Sequence, residues 1–339
     1  MLAVYHPDQE KHAPQTRLSY GVFKENLEKP ERARLLLDAL RGRGGDIVEP
    51  PDYGRDALLL THSGDYLQFL EHGFEEWRAV PGAGPEMRPS LHPNRYMNEK
   101  PADILGRAGH FMADAGCVIL DGTWKAAYAA AQTAFHAAVL VRNGQRSAYA
   151  LCRPPGHHAY KDMAGGFCYL NNAAIAANVL CQTAKRVAIL DVDVHHGNGT
   201  QGIFYERDDI VFVSVHADPA TTYPYYAGYA HETGVGRGLG FNLNLALETN
   251  SNDDTYLRAV QAGLDFIREV EADALVVSLG LDASASDPFR CMQVTHAGFD
   301  GMGKMIASSG LPTVIVQEGG YVSPSLPVDL MHFLRGFES

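Results

Sequence analysis

Residues 188–200 read AILDVDVHHGNGT, and the reading of this stretch decides the fold. Apolar residues run directly into two carboxylates and two imidazoles between Asp191 and His196. Asp191, Asp193 and His195 alternate, so an extended strand sends all three to one side. Ile189 and its neighbours mark that strand as buried. Oxygen and nitrogen ligands at the end of a buried strand are costly to fold unless they are paired or hold a metal. The stretch therefore predicts an interior strand that ends in a metal site, with Asp193 and His195 as ligands. His196 faces the other way and reads as structural.

Similar runs recur along the chain. Strands are predicted at LAVY near the start, SAYALC 147–152, RVAILDVD 186–193, IVFVSVH 210–216, DALVVSLG 273–280 and PTVIVQ 312–317. Their β-branched content, without polar alternation, suits parallel strands covered on both faces. Helices are predicted at Pro30–Leu40, the Ala-rich Thr123–Leu140, Asn171–Leu180, Asp253–Val270 and His296–Ser308. Gly, Pro and Asp punctuate the joins. This alternation gives an α/β fold around a parallel sheet, read as a single domain over residues 1–339. Two segments break the rhythm. Residues 79–108 are rich in Pro, Gly and charge and read as a long ordered loop within an insertion at about 79–121. Residues 218–240, rich in Tyr and Gly, read as a long functional connection.

Composition narrows the function. The chain has 339 residues, 46% of them hydrophobic, enough for a large buried sheet. The net charge of −12 argues against nucleic acid and anionic membrane surfaces as partners, and is compatible with a cationic substrate. The five cysteines form no CxxC pair, so neither a disulfide framework nor a zinc knot is expected, and a cytoplasmic location fits. No signal peptide and no membrane span is read from the sequence.

Five unusual clusters each follow a predicted strand: CRPPGHH 152–158, DVDVHHGNG 191–199, VHADP 215–219, LGLDASASDP 279–288 and QEGGY 317–321. In an open parallel sheet the carboxyl ends of the strands share one edge, where ligands bind. Distant clusters therefore converge. Asp282 joins Asp193 and His195 as a third ligand, leaving an open coordination position. Adjacent His157 and His158 suggest one general base and one electrostatic partner. Asp191 and Asn198 are candidate acceptors for their second ring nitrogens. Tyr321, after two glycines, can offer its hydroxyl to an oxyanion.

Taken in order, RPPGHHA, GGFCYLNNAA (165–174), LDVDVHHGNGTQ, SVHADP, LGLDAS and EGGY resemble the histone deacetylase and acetylpolyamine amidohydrolase family. HSGDYLQFLE (62–71) and EKPERA (28–33) extend the resemblance to the amino-terminal third. It implies the three-layer arginase-deacetylase fold with a central eight-stranded parallel sheet. It implies that Asp193, His195 and Asp282 bind Zn²⁺, with Fe²⁺ as the alternative in cells. His158 is then the general base and later the acid. His157, paired with Asp191, supports the transition state, and Tyr321 donates to the oxyanion. The Gly166 carbonyl holds the substrate amide, Phe167 and Tyr223 wall a narrow tunnel, Asn198 lies behind the histidines, and Arg32 stands near an acetate exit path. A structural K⁺ is expected at Asp191, Ser214 and the carbonyls of Asp193, His195 and Val215.

The segment PADILGRAGHFMADAG before GTW (122–124) resembles a loop that drives dimerisation and narrows the site, so a homodimer is expected. Where such enzymes carry glutamates, Leu105 and Gly116 stand here. Asp103, Asp114 and Glu318 are the acidic groups left to meet a distal ammonium. The implied substrate is a small acetylated amine, an acetylpolyamine foremost, with acetyl-lysine as the alternative. A two-metal ureohydrolase needs a second carboxylate two residues after Asp282, where Ser284 stands. A non-catalytic acyl-amine binding protein is expected to have lost a ligand, His158 or Tyr321, and all are present.

Overall fold

The computed structural model describes residues 1–339. Strand β1 (Leu2–Val4) precedes a hairpin of β2 (Thr16–Ser19) and β3 (Val22–Glu25). Helix α1 (Pro30–Gly42), strand β4 (Ile47–Val48) and helices α2 (Gly64–Arg78), α3 (Ile104–Phe111) and α4 (Thr123–Arg142) follow. Then come β5 (Ser147–Ala150), α5 (Asn172–Leu180), β6 (Val187–Asp191), α6 (Asn198–Phe204), β7 (Ile210–Ala217) and β8 (Asn242–Leu247). The chain ends with α7 (Asp253–Glu269), β9 (Ala274–Leu279), α8 (His296–Ser308), β10 (Thr313–Gln317) and α9 (Leu326–Phe337).

Eight strands form one parallel sheet in the order β4-β1-β5-β10-β9-β6-β7-β8. Successive residues of a strand feed opposite layers. Leu190, Val213 and Val277 pack with α1, α7, α8 and α9 on one face. Ile189, Phe212 and Val276 pack with α4 and α5 on the other. Small residues let α4 and α5 lie close to the sheet: Ala130, Ala134, Ala173 and Ala177 are all fully buried. A third cluster joins α2 and α3 through Phe69, Leu70, Ala108 and Phe111. Polar side chains fix the helix starts. Ser63, Asn171, Asn252 and Thr295 each accept a backbone N–H at the N-cap of α2, α5, α7 and α8.

All six expected strands are present, and the five that carry the sequence clusters, β5, β10, β9, β6 and β7, are neighbours in the sheet. Their carboxyl ends therefore meet, as the crevice rule requires. Four differences stand out. Strand β6 ends at Asp191, so Asp193 and His195 lie on the turn beyond it and not on the strand. The segment 79–108 is not loop throughout, because α3 begins at Ile104. Edge strand β8 went unread because its buried side is made by Asn242 and Asn244, which donate to Gln201 Oε1 at 3.0 and 2.8 Å. Helices α2, α6 and α9 and the short strand β4 are further elements that the apolar patterning did not single out.

Candidate active site

Three carboxylates shape the turn after β6. Asp193 N–H donates to Asp191 Oδ1 at 3.1 Å, Val194 N–H to Asp282 Oδ1 at 3.1 Å, and His195 N–H to Asp193 Oδ1 at 2.9 Å. From the end of β10, Gly319 N–H reaches Asp193 Oδ2 at 2.8 Å. Only glycine fits there: a Cβ on Gly319 would stand 2.3 Å from Asp282 Oδ2. These bonds gather one ligand atom each from Asp193, His195 and Asp282 within 4.8 Å of one another, all three residues buried. His195 Nδ1 lies 3.3 Å from Asp193 Oδ1 and 3.2 Å from Asp282 Oδ2. Burial, reinforced by the neighbouring Asp193 carboxylate, pushes Asp282 above the usual carboxylate range. Burial opposes a charge on His195, yet the two carboxylates draw the imidazole strongly towards its protonated form. The cluster thus demands a positive charge, and its donor set fits a divalent cation with an open position.

A second buried group, His157, Cys168 and Glu318, also lies within ligand reach. It is committed elsewhere. Glu318 Oε2 accepts from Gly156 N–H at 2.6 Å and His157 N–H at 3.1 Å. The His157 ring nitrogens both face carboxylates: Nδ1 lies 3.0 Å from Asp191 Oδ2 and Nε2 3.7 Å from Asp193 Oδ1. Burial works against the His157 cation, but those carboxylates outweigh it and hold the imidazole up at about 10. Burial also raises Asp191, to about 6, still below its partner, so the pair is ionic near neutral pH.

His158 is the opposite case. Its ring centroid lies only 4.0 Å from that of His157. Its Nδ1 meets Asn198 Oδ1 at 2.6 Å, a neutral acceptor. Burial first, then the charges of His157 and His195, hold it well below the usual imidazole range. Its Nε2 has no partner within the protein, and His158 forms part of a cavity wall.

That cavity, of about 500 Å³, is bounded by His158, His195, Gly166, Phe167, Tyr223, Phe289 and Tyr321. Tyr321 is held by its backbone, which donates to Asp287 Oδ2 at 2.9 Å, and by Arg32, whose guanidinium sits 4.9 Å from the ring centre. Its hydroxyl makes no hydrogen bond to the protein. Arg32 is itself buried, donating to Gly320 O at 2.5 Å, Glu318 O at 2.6 Å and Glu28 at 2.7 Å. Asp114 fixes the opposite wall: its Oδ2 accepts from Gly166 N–H at 2.8 Å and Tyr223 O–H at 2.9 Å. A larger groove of about 1390 Å³ lies at the N-terminal ends of the strands, among Leu2, Asp46 and Ser147, away from these groups.

Residues 26–337 match the histone deacetylase domain. The chain belongs to the histone deacetylase family. It is 45% identical to the acetylpolyamine amidohydrolase of Burkholderia pseudomallei over 99% of this chain and 98% of that one. It is 39% identical to the acetylpolyamine amidohydrolase of Mycoplana ramosa over 99% of each. The crystal structure of acetylpolyamine aminohydrolase from Burkholderia pseudomallei superposes with a TM-score of 0.98 at 44% identity, covering 100% of this chain and 99% of that one. The protein is therefore a deacetylase, a hydrolase of amide bonds, from a metal-dependent family.

In this deacetylase the residues expected around K⁺ are adjacent. Asp191 pairs in register with Ser214 across β6 and β7. The carbonyls of Asp193 and His195 accept no hydrogen bond, although both residues are buried. Such carbonyls suit a monovalent cation. Ser214 Oγ also contacts His216 Nδ1 at 2.8 Å.

The three acidic groups expected to meet a distal ammonium are otherwise engaged. Asp103 caps α3 through Leu105 N–H at 2.8 Å and is absent from the cavity wall. Glu318 is sealed beneath the site, and burial pushes its carboxyl up to about 8. Asp114 lines the cavity, but four donors occupy it, since Gly116 and Cys117 N–H add to the two already given. Leu105 is exposed and Gly116 lies in the wall. Asp287, Glu28 and Phe289 were missed in the sequence, and Asp114 was singled out for a distal ammonium and not for fixing the wall. Asp287 works through the backbone N–H groups of Phe289 and Tyr321, which leave no side-chain pattern beyond an Asp near a Pro.

Proposed function

We propose that this deacetylase removes the acetyl group from N-acetylated alkylamines, acetylpolyamines among them, with Asp193, His195 and Asp282 holding one Zn²⁺, or Fe²⁺ in cells. One observation carries the reading. A neutral imidazole with a free Nε2, a phenol with a free hydroxyl and a buried two-carboxylate, one-imidazole cluster border the same cavity. The names of the relatives support the acetylpolyamine class.

When bound, the cation supplies polarisation of the acyl carbonyl and a lowered pKa for water. His158 takes the proton of the attacking water on Nε2, while Nδ1–H donates to Asn198. The same imidazolium then protonates the leaving amine. His157, held cationic by Asp191, stabilises negative charge developing on the acyl group. Tyr321 O–H donates to the oxyanion. Phe167 and Tyr223 exclude water around the alkyl chain. The Gly166 carbonyl, whose only partner is the Cys168 thiol at 3.5 Å, accepts the substrate N–H.

K⁺ belongs at Asp191, Ser214 and the carbonyls of Asp193, His195 and Val215, where it offsets the carboxylates. Exposed Leu91, Tyr96, Met97 and Leu105 give the insertion at about 79–121 an apolar surface that supports a homodimer. Five free cysteines support a reducing, cytoplasmic location. Acetyl-lysine is the second reading, favoured by the lack of an uncommitted carboxylate in the cavity wall.

The test is acetate release from N-acetylputrescine and from an acetyl-lysine peptide by the zinc-loaded protein. Hydrolysis of the diamine supports the reading. Hydrolysis of the peptide alone favours the second, and hydrolysis of neither removes both.

A further inference from the structure

The entrance to the cavity is cationic. Arg17, on strand β2, lines the cavity together with Ser19, Tyr20 and Gly21 of the same hairpin. Its guanidinium makes no hydrogen bond and no ion pair, and its Nε is sealed from solvent without an acceptor. The whole guanidinium is left without an acceptor in the protein while its residue lines the cavity, so a ligand held there can provide one. One aromatic ring separates Arg17 from the reaction centre. The guanidinium carbon lies 5.6 Å from the ring centre of Phe289, which lies 5.4 Å from that of His195 and 4.9 Å from that of Tyr321.

A second observation points the same way. In the hairpin register Arg17 stands directly opposite Lys24, and Lys24 has no carboxylate partner either. Like charges directly opposite on paired strands repel. Two cations without an anionic partner share the hairpin, Arg17 over the ring of Phe289 and Lys24 5.1 Å from the ring centre of Tyr20, in a chain whose net charge is −12. The one carboxylate in the cavity wall, Asp114, is filled by four donors. No uncommitted carboxylate is left in the wall for an ammonium, and the Arg17 guanidinium has no anionic acceptor.

We propose that Arg17, assisted by Lys24, is the subsite for the far end of the substrate and takes an anionic group there, a carboxylate above all. A carboxylate accepts a charge-assisted bond from the guanidinium, which a distal ammonium cannot make, so acetylpolyamines are substrates of the same centre without being the preferred ones. The preferred substrates are then acetamido acids, in which an acetylated amine and a carboxylate are joined by an alkyl chain. A chain advancing roughly 1.2 Å per bond needs about five or six methylenes to pass Phe289. This rests on the deacetylase reading above and narrows its substrate class.

The test uses three acetamides with the same five-methylene linker, ε-acetamidocaproate, N-acetylcadaverine and N-hexylacetamide, and the zinc-loaded enzyme. The order of kcat/KM expected is carboxylate, then methyl, then ammonium. In Arg17→Gln the ratio of ε-acetamidocaproate to N-hexylacetamide falls about tenfold, the size of one charged hydrogen bond. In Arg17→Glu the carboxylate and ammonium substrates exchange places. Lys24→Gln, which leaves the cavity wall intact, lowers the same ratio about threefold. A wild-type preference for N-acetylcadaverine, or ratios that ignore both positions, overturns the subsite while leaving the deacetylase reading standing. If the zinc-loaded enzyme hydrolyses none of the three, the small-amine reading itself falls, and the subsite with it.

Discussion

Oδ1 of Asn198 lies 2.6 Å from Nδ1 of His158, and this neutral acceptor separates the chemistry of two adjacent histidines. His157 faces the Asp191 carboxylate at 3.0 Å and is held as a cation. His158, offered only an amide oxygen, stays neutral with Nε2 free. The first expectation follows directly. His158→Gln removes the base while keeping a polar side chain, so kcat falls by roughly 10²–10⁴-fold. Metal content, measured by atomic emission, stays at the wild-type level. A variant with kcat within tenfold of wild type contradicts the assignment.

Tyr321→Phe isolates the oxyanion donor. The ring is fixed by Arg32, Phe289 and Asp287 independently of its hydroxyl. The loss is expected in kcat, on the order of 10²–10³-fold, with an unchanged melting temperature. A change confined to KM would mean that the hydroxyl only binds substrate.

Much of the site was legible because buried parallel strands run apolar and break abruptly where the chemistry begins. The five clusters sit on adjacent strands, so their convergence could be read from the sequence. The geometry that joins them could not. Asp191 marks the end of β6, and the turn beyond it is folded by carboxylates accepting backbone N–H groups, so strand alternation was the wrong reason for grouping Asp193 with His195. The role of Asp114 in fixing the wall and that of Asp287 in holding Tyr321 were invisible for the same cause, since each accepts a backbone N–H brought from a distant segment. Helix α3 spans only Ile104–Phe111, too short for an apolar period to rise above its Pro- and Gly-rich surroundings. Edge strand β8 turns asparagines inward, against the apolar rule that found its neighbours.

Glu28 bridges two buried guanidiniums, accepting from Arg32 at 2.7 Å and Arg153 at 2.7 Å. Arg32 in turn supports the Tyr321 loop and Arg153 the His157–His158 segment. Breaking a buried ion pair by removing one partner costs about 3–5 kcal/mol. Glu28→Ala is therefore expected to lower stability by about that amount in denaturant titrations. A loss below about 1 kcal/mol would show that the arginines find other acceptors.

His62 ties acid stability to α5. Its Nε2 accepts from Asn171 N–H at 2.9 Å, and burial holds the imidazole down at about 4 against an ordinary 6.5. The folded state therefore prefers neutral His62. Its contribution is complete above pH 6.5 and is lost as pH falls towards 4, on the order of 3 kcal/mol in all. His62→Gln retains an acceptor but does not titrate. Between about pH 7.5 and 4.5 the variant is expected to lose on the order of 2–3 kcal/mol less stability than wild type. Parallel pH profiles for the two proteins would contradict this role.

The central claim is that Asp193, His195 and Asp282 hold the one metal on which amide hydrolysis depends. The most direct measurement is acetate release from N-acetylated alkylamines by wild type and Asp282→Ala, each purified metal-free and then titrated with Zn²⁺. Activity in the wild type is expected to rise in proportion to zinc and level off at one equivalent. Asp282→Ala is expected to bind no stoichiometric zinc and to release no acetate. Full zinc occupancy with wild-type turnover in Asp282→Ala, or acetate release by the metal-free wild type, would contradict it.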